Sequence, residues 1–472
     1  MSRHSAFFSL KESADLLGAP VPAGFETSLP LPQSFKIDSR EVRSGDAFVA
    51  CKGENTDGHC YIEAAVRAGA SLVLAEASYC QAHADALGAL SVPILCVSDT
   101  THALAELARF WLQQVAPVRV GITGSVGKTT TREILNAILQ KHFRTHSAIK
   151  SYNTLIGGAM TILAMPAETE VLILELGTNH PGEIEEMVRY YPITHGVITE
   201  AAPAHLEGLH SLEGVIRAKT ELLTSDALAF ITYNSDNSAL AESVLSRAAA
   251  VRKIGVGITE GDIRVSNIQQ SLSTDARPRL AFDIEEGAAK YACVSAIFGK
   301  QHARNIAYAY SVSRALGLEP ESILQNIGEI PLPKGRGDIV KLSRGLLLID
   351  ESYNANPSSV SQAVKNVHEL ETDEGIRKIA ILGGMRELGP ESEKWHEVVV
   401  SRASLLDEVY LIGGEWANTE TRQSALCGKW PDRESFARDF DFGALQNAVV
   451  LIKGSRYYAL EHLIPLFEAS RR

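Results

Sequence analysis

The chain has 472 residues, and with 45% hydrophobic and 22% charged residues its composition is that of an ordinary globular protein. A single hydrophobic core stops growing well below this length, so about three domains are expected. The formal net charge of −12 argues against a general nucleic-acid-binding protein, which normally carries a basic domain. A local basic pocket for an anionic small molecule is compatible with that charge.

The cysteines and the N-terminal segment indicate the cellular compartment. The cysteines show no CxxC pair and no histidine at zinc-ligand spacing, so we interpret them as buried or partly buried free thiols in a reducing cytoplasm. The N-terminal segment lacks the apolar core of a signal peptide, and no stretch approaches the roughly 18 apolar residues of a membrane span. We expect a cytoplasmic monomer that acts on small molecules and binds no nucleic acid. The cysteines are Cys51, Cys60, Cys80, Cys96, Cys293 and Cys427.

Strand-like and helix-like segments alternate along the chain and predict an α/β fold with three domains. Residues 1–99 predict a small α/β module, in which a turn-rich strand pair precedes a helix ended by Gly69 and a buried strand. Residues 100–331 begin with an amphipathic helix stopped by Pro117 and predict a mostly parallel sheet covered on both faces. Residues 332–472 predict a Rossmann-like sheet with the strands "GLLLIDE", "KIAILGGM", "EVYLIGG" and "NAVVLIKGS".

The segment "VGITGSVGKTTT" is a glycine-rich loop between a predicted strand, Val118–Thr123, and a helix that begins at Lys128. Backbone N–H groups, a helix N-terminus and a lysine together bind phosphate, and Thr129 lies where such loops present a hydroxyl to Mg²⁺. The usual phosphate-loop spacing fails, because Ile122 stands where the first glycine belongs. A surface loop that merely caps a helix is the alternative. The coincidence of strand, loop, Lys-Thr and helix favours ATP or GTP binding.

Two further segments of the second block carry candidate metal ligands. The apolar strand "VLILELG" delivers Glu175 to the edge of the sheet, as a metal-binding carboxylate requires. The segment "AAPAHLEGLHSLEGVIRAKTEL" contains His205, Glu207 and Lys219. His205 is either a metal ligand or an ordinary polar residue of a connecting loop.

The third block places an unusual density of polar residues after an apolar strand. "DESYNANPSS", Asp350–Ser359, has more Asp, Asn and Tyr than a turn needs. An Asx turn explains part of the pattern, and a ligand site at the carboxyl end of a parallel strand explains all of it. The proline- and glycine-rich segment "PLPKGRGD", called here the hinge, precedes the strands of the third block, and its Arg336 is a candidate phosphate ligand.

These motifs together resemble the Mur ligase family, whose members form amide bonds in peptidoglycan precursors with ATP. "TGSVGKTTT", "ELG", "AHLEG", "AKTEL", "HARN", "GRG" and "DESYNANP" occur in that family's order and cover all three blocks. The family's loop has the spacing TGxxGKTT, with a glycine three residues before Gly127, which accounts for Ile122. Within the family, "SYNANP" is typical of the members that add D-alanyl-D-alanine to UDP-N-acetylmuramoyl-tripeptide. The Asp-Asn-Pro-Arg of the ligase that adds the third residue is absent.

The resemblance implies a role for individual residues. It implies catalytic roles for Lys128, Glu175, His205 and Lys219, the last matching a lysine that many members carbamylate. It implies two Mg²⁺ ions on Thr129, Glu175 and His205. UDP-substrate contacts are implied for Ser39 and Arg40 in the first module and for Asn153 near the muramoyl group, with Tyr353, Asn354 and Asn356 as further substrate contacts. The implied ATP-binding residues are Gly124, Ser125, Gly127, Lys128, Thr129, Thr130, Asn305, Arg336 and Asp350.

The chain departs from the family's pattern at three places. His302-Ala303 stands where His-Asn usually precedes the adenine-contacting asparagine. The central Asn-Asn-x-x-Gly-x-Pro motif reads Asn153-Thr154 and ends at Ala159, and Gly384 stands where Asp is usual. The phosphate-binding residues are unaffected.

The resemblance implies that a tripeptide carboxylate attacks the γ-phosphate of ATP and that D-alanyl-D-alanine then attacks the acyl phosphate. Two alternatives are also compatible with the sequence. One is a related ligase that adds a different amino acid or acts on a different polymer precursor. The other is a regulatory nucleotide-binding switch, although the Asn-Lys-x-Asp motif of a GTPase is absent and two further domains with polar clusters suit an enzyme that joins two substrates better.

Overall fold

The computed structural model describes residues 9–26, 32, 34–53, 56–148, 152–247, 250–419 and 425–469. Its strands form three separate sheets, one in each predicted block, and the three-domain α/β fold class is confirmed. The domain limits 1–99, 100–331 and 332–472 remain a prediction. Among the described residues, no helix is both long enough and apolar enough to cross a membrane.

The first sheet has four parallel strands in the order β1-β2-β3-β4. The predicted turn-rich segment forms β1 and β2, and Gly69 ends the following helix region with a φ of 104°. A residue with a Cβ atom strains at that φ, so glycine suits the turn. The elements are α1 (Leu10–Leu17), β1 (Phe35–Lys36), β2 (Ala47–Val49), α2 (Ile62–Arg67), β3 (Leu72–Glu76), α3 (Ala77–Ala82), α4 (Ala84–Gly88) and β4 (Ile94–Val97).

The cysteines correct one expectation. Cys80 on α3 and Cys96 on β4 form a disulfide with their Cα atoms 6.3 Å apart, so these two are not free thiols. The helix that follows β3 packs against the neighbouring strand β4 and brings the two sulfurs together. Cys60 and Cys427 are free but exposed, whereas Cys51 and Cys293 are partly or fully buried as expected.

The central sheet joins nine strands of the described chain in the order β13-β12-β11-β10-β9-β8-β5-β7-β6. Its strands from β6 to β11 pair in parallel, and β5 lies between β7 and β8. The elements are α5 (Thr100–Val115), β5 (Val118–Thr123), α6 (Lys128–Leu139), β6 (Thr145–Ser147), α7 (Leu155–Leu163), β7 (Val171–Glu175), α8 (Glu183–Tyr190), β8 (His195–Ile198), α9 (Leu206–Leu209), α10 (Leu212–Thr220), β9 (Phe230–Asn234), α11 (Ser238–Leu245), β10 (Arg252–Gly257), β11 (Ile263–Leu272), β12 (Pro278–Glu286), β13 (Ala289–Ser295), α12 (His302–Ala315) and α13 (Pro320–Leu324).

The register of β5 with its neighbours positions the loops of the site. Ile122 pairs with Glu175 on β7, and Thr123 pairs with Ile198 on β8. The three strands therefore end at one edge, where the chain order of the sheet changes direction. Ligands of α/β proteins bind at such a point, outside the carboxyl ends of parallel strands.

The antiparallel strands β11, β12 and β13 form one end of the central sheet, which the sequence analysis did not predict. On β12, Leu280, Phe282 and Ile284 are buried and alternate with less buried residues. This period of two indicates a sheet with one covered face. The residues lie within the second predicted block and do not change its fold class.

The third sheet has the order β14-β15-β19-β16-β17-β18, with β14 antiparallel and the others parallel. The last strand, β19, lies between β15 and β16, and all six of its residues are buried. The elements are β14 (Asp338–Lys341), β15 (Leu346–Asp350), α14 (Pro357–His368), β16 (Arg377–Gly383), α15 (Ser392–Ala403), β17 (Glu408–Ile412), β18 (Leu426–Trp430), α16 (Arg433–Asp439), β19 (Ala448–Lys453) and α17 (Ile464–Ala469).

Candidate active site

A cleft of about 980 Å³ lies between the carboxyl edges of the central and third sheets. One wall, the central wall, is formed by the glycine loop, the end of β7, the residues after β8, and the start of α12. The other wall, the third-domain wall, is formed by the residues that follow β15, β16 and β19, with Glu415 after β17. Both walls are thus built from strand ends, where ligands of parallel sheets bind.

Two glycines shape the loop. Gly124 has a φ of 145°, and a side chain there would collide with Thr199. Gly127 has a φ of 88° and is the N-cap of α6, and a Cβ atom there would lie 2.9 Å from Oδ1 of Asn305. No side chain caps α6 among the described residues, so the first N–H groups of the helix remain available to an anion.

Hydrogen bonds from the segment after β8 hold the loop in place. Ser125 donates its backbone N–H to the carbonyl of Glu200 at 2.8 Å and its hydroxyl to the carbonyl of Ala202 at 2.9 Å. Thr199 donates its hydroxyl to the carbonyl of Val126 at 2.6 Å. These bonds order the loop before any ligand arrives, so little conformational entropy is lost on binding.

Lys128, Thr129 and Glu175 meet at the base of the loop. The Thr129 hydroxyl donates to the Glu175 carboxylate at 2.9 Å, and Lys128 Nζ donates to the carbonyl of Gly124 at 2.5 Å. Buried Arg132 lies 3.4 Å from the same carboxylate. Burial lowers the pKa of Lys128, and the Glu175 carboxylate opposes that change. The base of the loop thus combines a lysine, a hydroxyl and a carboxylate. These are the groups that bind a triphosphate together with a divalent metal ion.

Lys219 on α10 is fully buried, and its ammonium nitrogen has no hydrogen-bond partner within the part of the chain that the structure describes. Burial, followed by repulsion from Lys128, places the pKa of Lys219 well below its ordinary value. Lys219 does not line the cleft itself. An unpaired buried amine is costly, so this position requires an explanation beyond packing.

His205 lies where the two walls meet. Its backbone is left-handed, with a φ of 54°, and its Nδ1 is 2.5 Å from the carboxylate of Glu387 in the third domain. The N–H of Glu207 donates to the carbonyl of Glu387 at 3.3 Å. Contact with the His205 ring lowers the pKa of Glu387. The structure therefore brings His205 to the cleft, in contact with a carboxylate that the sequence analysis did not identify.

Arg336 reaches from the hinge to the phosphate loop. Its guanidinium donates to the Thr129 hydroxyl at 3.1 Å and lies over the ring of Tyr353 at 4.2 Å. Burial lowers the pKa of Arg336, yet arginine remains charged. Asn356 caps α14 with its side-chain oxygen and contacts the carbonyl of Ser125 through its amide nitrogen at 3.4 Å. Both residues connect the third domain to the central loop.

The end of β15 differs from the prediction. Asp350 is buried, accepts a hydrogen bond from the N–H of Ser352 at 2.9 Å and does not line the cleft. Burial raises its pKa. The next residue, Glu351, lines the cleft and pairs at 3.0 Å with Lys453, which also donates to the carbonyl of Asn354. Sequence reasoning missed Glu351 and Lys453, although both lie at ends of strands that it predicted.

The start of α12 separates cleft residues from core residues. His302 and Asn305 line the cleft and lie 3.1 Å apart through their side-chain nitrogens. Burial lowers the pKa of His302 to about 4, so its ring is neutral at pH 7. Ala303 is fully buried in the core of the central domain and does not line the cleft. The departure at Ala303 therefore lies behind the cleft surface.

The other predicted substrate residues divide into two groups. Asn153 lines the cleft and accepts a hydrogen bond from the N–H of Gly177 at 2.7 Å through its carbonyl, and Tyr353 and Asn354 also line it. Ser39 and Arg40 lie on a short helical turn of the first domain, where Arg40 pairs with Asp38, and neither lines the cleft. The structure does not bring these two to the phosphate loop.

The side chains beside the glycine loop offer few ligands to a divalent cation. Among the described residues, no cluster of three or more His, Cys, Asp or Glu side chains is arranged as a metal site. Thr129 and Glu175 nevertheless present oxygen atoms beside the loop, and Lys219 lies nearby with its nitrogen unpaired. Oxygen ligands with phosphate oxygens supplied by substrate form a typical Mg²⁺ site, which needs few protein ligands.

Comparison with protein families agrees with this geometry. Residues 33–111 match the Mur ligase family catalytic domain, residues 122–313 the Mur ligase middle domain, and residues 335–456 the Mur ligase glutamate ligase domain. The three matches follow one another and span most of the chain. The chain belongs to the Mur ligase family.

This Mur ligase is similar to curated relatives along nearly its whole length. It is 28% identical over 448 residues to the UDP-N-acetylmuramoyl-tripeptide–D-alanyl-D-alanine ligase of Bacillus subtilis, covering 90% of this chain and 91% of that protein. It is 29% identical over 436 residues to the ligase of the same name from Escherichia coli, covering 90% and 92%.

Solved structures show the same fold. The MurF ligase of Thermotoga maritima in complex with ADP superimposes with a TM-score of 0.79 at 27% identity, covering 93% of this chain and 97% of that one. MurF of Acinetobacter baumannii superimposes with a TM-score of 0.85 at 22% identity, covering 98% and 99%, and supports the fold alone.

Proposed function

We propose that this Mur ligase uses ATP to join D-alanyl-D-alanine to UDP-N-acetylmuramoyl-tripeptide, in peptidoglycan precursor synthesis. One observation carries the proposal. Lys128, Thr129 and Glu175 on the central wall face Arg336 from the third domain, so a triphosphate in the cleft meets basic groups from both sides. The relatives that match nearly the whole chain carry the name of this activity.

In the first step the tripeptide carboxylate attacks the γ-phosphorus of ATP, and ADP leaves as the P–O bond to the β-phosphate breaks. The loop N–H groups and Lys128 hold the phosphates, and Arg336 neutralises charge on the transferred group. Such positioning and charge stabilisation account for most of the catalysis in phosphoryl transfer. Asn305, beside Gly127 and His302, is the proposed adenine contact.

Thr129, Glu175 and His205 are the proposed Mg²⁺ ligands, and bound Mg²⁺ supplies charge neutralisation at the phosphate oxygens. The Thr129–Glu175 hydrogen bond keeps both oxygen ligands at the base of the loop. His205 lies at the junction of the walls, where its ring is held by Glu387. A histidine whose second ring nitrogen contacts a carboxylate is a typical oriented metal ligand.

Lys219 is the proposed site of carbamylation. Burial lowers its pKa and so favours the neutral amine, the form that reacts with CO₂, and its nitrogen has no hydrogen-bond partner within the described chain. The amine nitrogen attacks the carbon of CO₂, the N–C bond forms as one C=O π bond opens, and loss of one proton leaves an anionic carbamate. That anion is attracted to Lys128, which repels the ammonium form of Lys219, and it would add a carboxylate oxygen beside the proposed Mg²⁺ ligands.

In the second step the amine of D-alanyl-D-alanine attacks the acyl carbon, and inorganic phosphate leaves. The amine must be neutral to attack, so its proton passes to the departing phosphate or to a nearby base. The walls touch through Arg336, Asn356 and His205, and their closure over the substrates would exclude water that otherwise hydrolyses the acyl phosphate. Asp350 supports the strand end from behind the cleft surface.

The remaining proposed substrate contacts are distributed over the three domains. Asn153, Tyr353, Asn354 and Asn356 are proposed to contact the peptidyl substrate within the cleft. Ser39 and Arg40 are proposed to contact its uridine diphosphate, which lies far along the substrate from the reacting carboxylate. The protein is further proposed to be a cytoplasmic monomer. Analytical ultracentrifugation tests the oligomeric state.

The decisive experiment measures phosphate release by the purified protein with ATP and Mg²⁺. We expect release only when UDP-N-acetylmuramoyl-tripeptide and D-alanyl-D-alanine are both present, together with the pentapeptide product seen by mass spectrometry. Release that does not depend on the dipeptide contradicts the proposal. A panel of single amino acids in place of the dipeptide tests the related ligases.

The carbamate is tested by chemical rescue. Lys219→Ala should lose activity and recover part of it with short carboxylates such as formate or acetate. Full activity of the unrescued variant contradicts the assignment. Lys141→Ala, at an exposed lysine near the end of α6, is the control and should show neither loss nor rescue.

A further inference from the structure

A second cavity of about 760 Å³ adjoins the cleft on the third-domain side, away from the phosphate loop. The two share three residues, Arg386, Glu415 and Tyr457. The mechanism described above uses none of them. This group, called here the Arg386 cluster, therefore lies between the cleft and the second cavity.

Arg386 is held rigidly within this cluster. Its Nη1 donates to Glu415 at 2.9 Å, and its guanidinium carbon lies 4.3 Å from the centre of the Tyr457 ring. The Arg386 side chain is half exposed, whereas that of Glu415 is only 15% exposed. Stacking on an aromatic ring and an ion pair restrict the arginine to one orientation before any ligand binds.

Glu415 is itself fixed by the ends of two strands. Its carboxylate accepts a hydrogen bond from the Tyr458 hydroxyl. A side chain at Gly384, after β16, would collide with this carboxylate, and one at Gly413, after β17, would collide with Tyr458. Gly384 is the position where the family usually has Asp, so in this chain Glu415 occupies the space of that side chain.

Arg386 retains unused hydrogen-bonding capacity. Within the described residues it hydrogen bonds through Nη1 alone, which leaves the other N–H groups of its fork for a ligand. Nearby Arg433 differs, because it donates to the carbonyls of Tyr458 and Ala459 and pairs with Glu434. A planar guanidinium with free N–H groups recognises a carboxylate in two-point fashion.

We propose that Arg386 binds the free terminal carboxylate of the dipeptide substrate in the cavity that adjoins the cleft, a proposal that rests on the function proposed above. The incoming dipeptide must direct its amine toward the acyl phosphate at the central wall, so its carboxylate lies at the opposite end, away from that wall. Glu387, the neighbour of Arg386, already reaches His205, so Arg386 lies beside the junction of the walls. Glu415 and Tyr457 are positioning residues that orient the arginine.

A free carboxylate that binds Arg386 could also belong to the peptide of the nucleotide substrate. Steady-state kinetics distinguishes this carboxylate from that of the dipeptide. Arg386→Met should raise the KM for D-alanyl-D-alanine roughly 10- to 100-fold, the value of a charge-assisted hydrogen-bonded pair, with kcat and the KM for UDP-N-acetylmuramoyl-tripeptide changed less than about two-fold. The wild type should discriminate against D-alanyl-D-alanine amide, and Arg386→Met should use the acid and the amide alike.

Two further variants complete the test. Arg386→Lys keeps the charge without the fork and should show an intermediate KM. Lys394→Met is the matched control, because Lys394 also lies over an aromatic ring and pairs with a glutamate of the same domain but lines neither cavity. An unchanged KM for the dipeptide in Arg386→Met, or a rise for the nucleotide substrate instead, overturns the assignment. A wild type without dipeptide-dependent phosphate release overturns the proposed function itself.

Discussion

The two walls of the cleft are built in different ways. The central wall takes its proposed phosphate-binding groups from one short segment, residues 124–130, and adds Glu175 from the adjacent strand. The third-domain wall takes Glu351, Arg386 and Lys453 from the ends of three strands that are far apart in sequence. One wall is a local structure, and the other exists only after the third sheet has formed.

The walls also differ in how they are held. Backbone and hydroxyl hydrogen bonds tie the glycine loop to the segment after β8, so the central wall is ordered by its own domain. Contacts between the walls are fewer and include a half-exposed pair, His205–Glu387, and a long hydrogen bond from Asn356. The central wall should therefore determine the chemical step, and the contacts between the walls should adjust binding. The predictions below test that division.

The largest effect is expected for Lys128→Met. The variant removes the cation at the base of the loop, and kcat for dipeptide-dependent phosphate release should fall by at least about 10³-fold. The thermal midpoint should stay near that of the wild type, because Lys128 makes one hydrogen bond to its own loop. Appreciable ligation by the folded variant contradicts the phosphate-binding role. Lys141→Met is the matched control.

The second effect concerns Lys219 and includes a pH dependence. Lys219→Met should lower activity roughly 10- to 100-fold, as loss of a group that supports a metal does. In metal-free buffer without CO₂ it should also raise the thermal midpoint, because methionine removes an unpaired buried amine.

The sign of that stability change follows from proton binding. The folded-state pKa of Lys219 is lowered from 10.5, so between the two pKa values the unfolded chain binds more protons and the free energy of unfolding rises with pH. The wild type therefore loses stability as the pH falls from 10.5, and the advantage of Lys219→Met should be larger at pH 7 than at pH 10. Thermal melts at both pH values measure it, and an advantage independent of pH contradicts the assignment of a neutral buried amine.

The third effect tests the shape of the loop. Gly127→Ala introduces a Cβ atom 2.9 Å from Asn305 Oδ1 at a φ of 88°, and the KM for ATP should rise roughly ten-fold as the loop or Asn305 shifts. Gly182→Ala is the control, since Gly182 is also a helix N-cap, has a φ of 90° and has no atom within 4 Å of its Cβ position. Equal effects of the two variants on the KM for ATP would mean that strain alone, rather than contact with Asn305, is responsible.

The fold was predictable where structure is local. The strand Val118–Thr123, the helix that begins at Lys128 and the strand that ends at Glu175 occur where the sequence places them, because apolar runs, glycines and a Lys-Thr pair lie close together in the chain. The antiparallel strands β11–β13 were missed, although the alternation of Leu280, Phe282 and Ile284 carries a period-two signal. The Cys80–Cys96 disulfide was missed because only the tertiary fold brings α3 to β4.

The candidate site was predictable on its central wall and, on the third-domain wall, at Arg336, Tyr353, Asn354 and Asn356. Motif order led to Lys128, Glu175 and His205, and the structure places all three at the cleft. It could not distinguish Asp350, which is buried, from Glu351, which faces the cleft, because adjacent residues at a strand end point in different directions. Glu387, Arg386 and Lys453 follow strands that become neighbours only in the folded sheet. No spacing of residues along the sequence therefore predicts that they share one site.

The smallest effect is expected for Glu387→Gln, at the contact between the walls. An exposed polar contact of this kind contributes about 0–1 kcal/mol, so the KM for ATP should rise less than about five-fold and kcat should hold. The His205 contact lowers the pKa of Glu387, so its stabilisation is present above the ordinary glutamate pKa of 4.5 and is lost as the pH falls below it. The midpoint difference between wild type and variant should therefore shrink between pH 7 and pH 4.

Glu371→Gln, at an exposed glutamate of the same domain, is the control. A loss in kcat as large as that of Lys128→Met would show that the third-domain wall takes part in the chemical step and that the division between the walls is wrong.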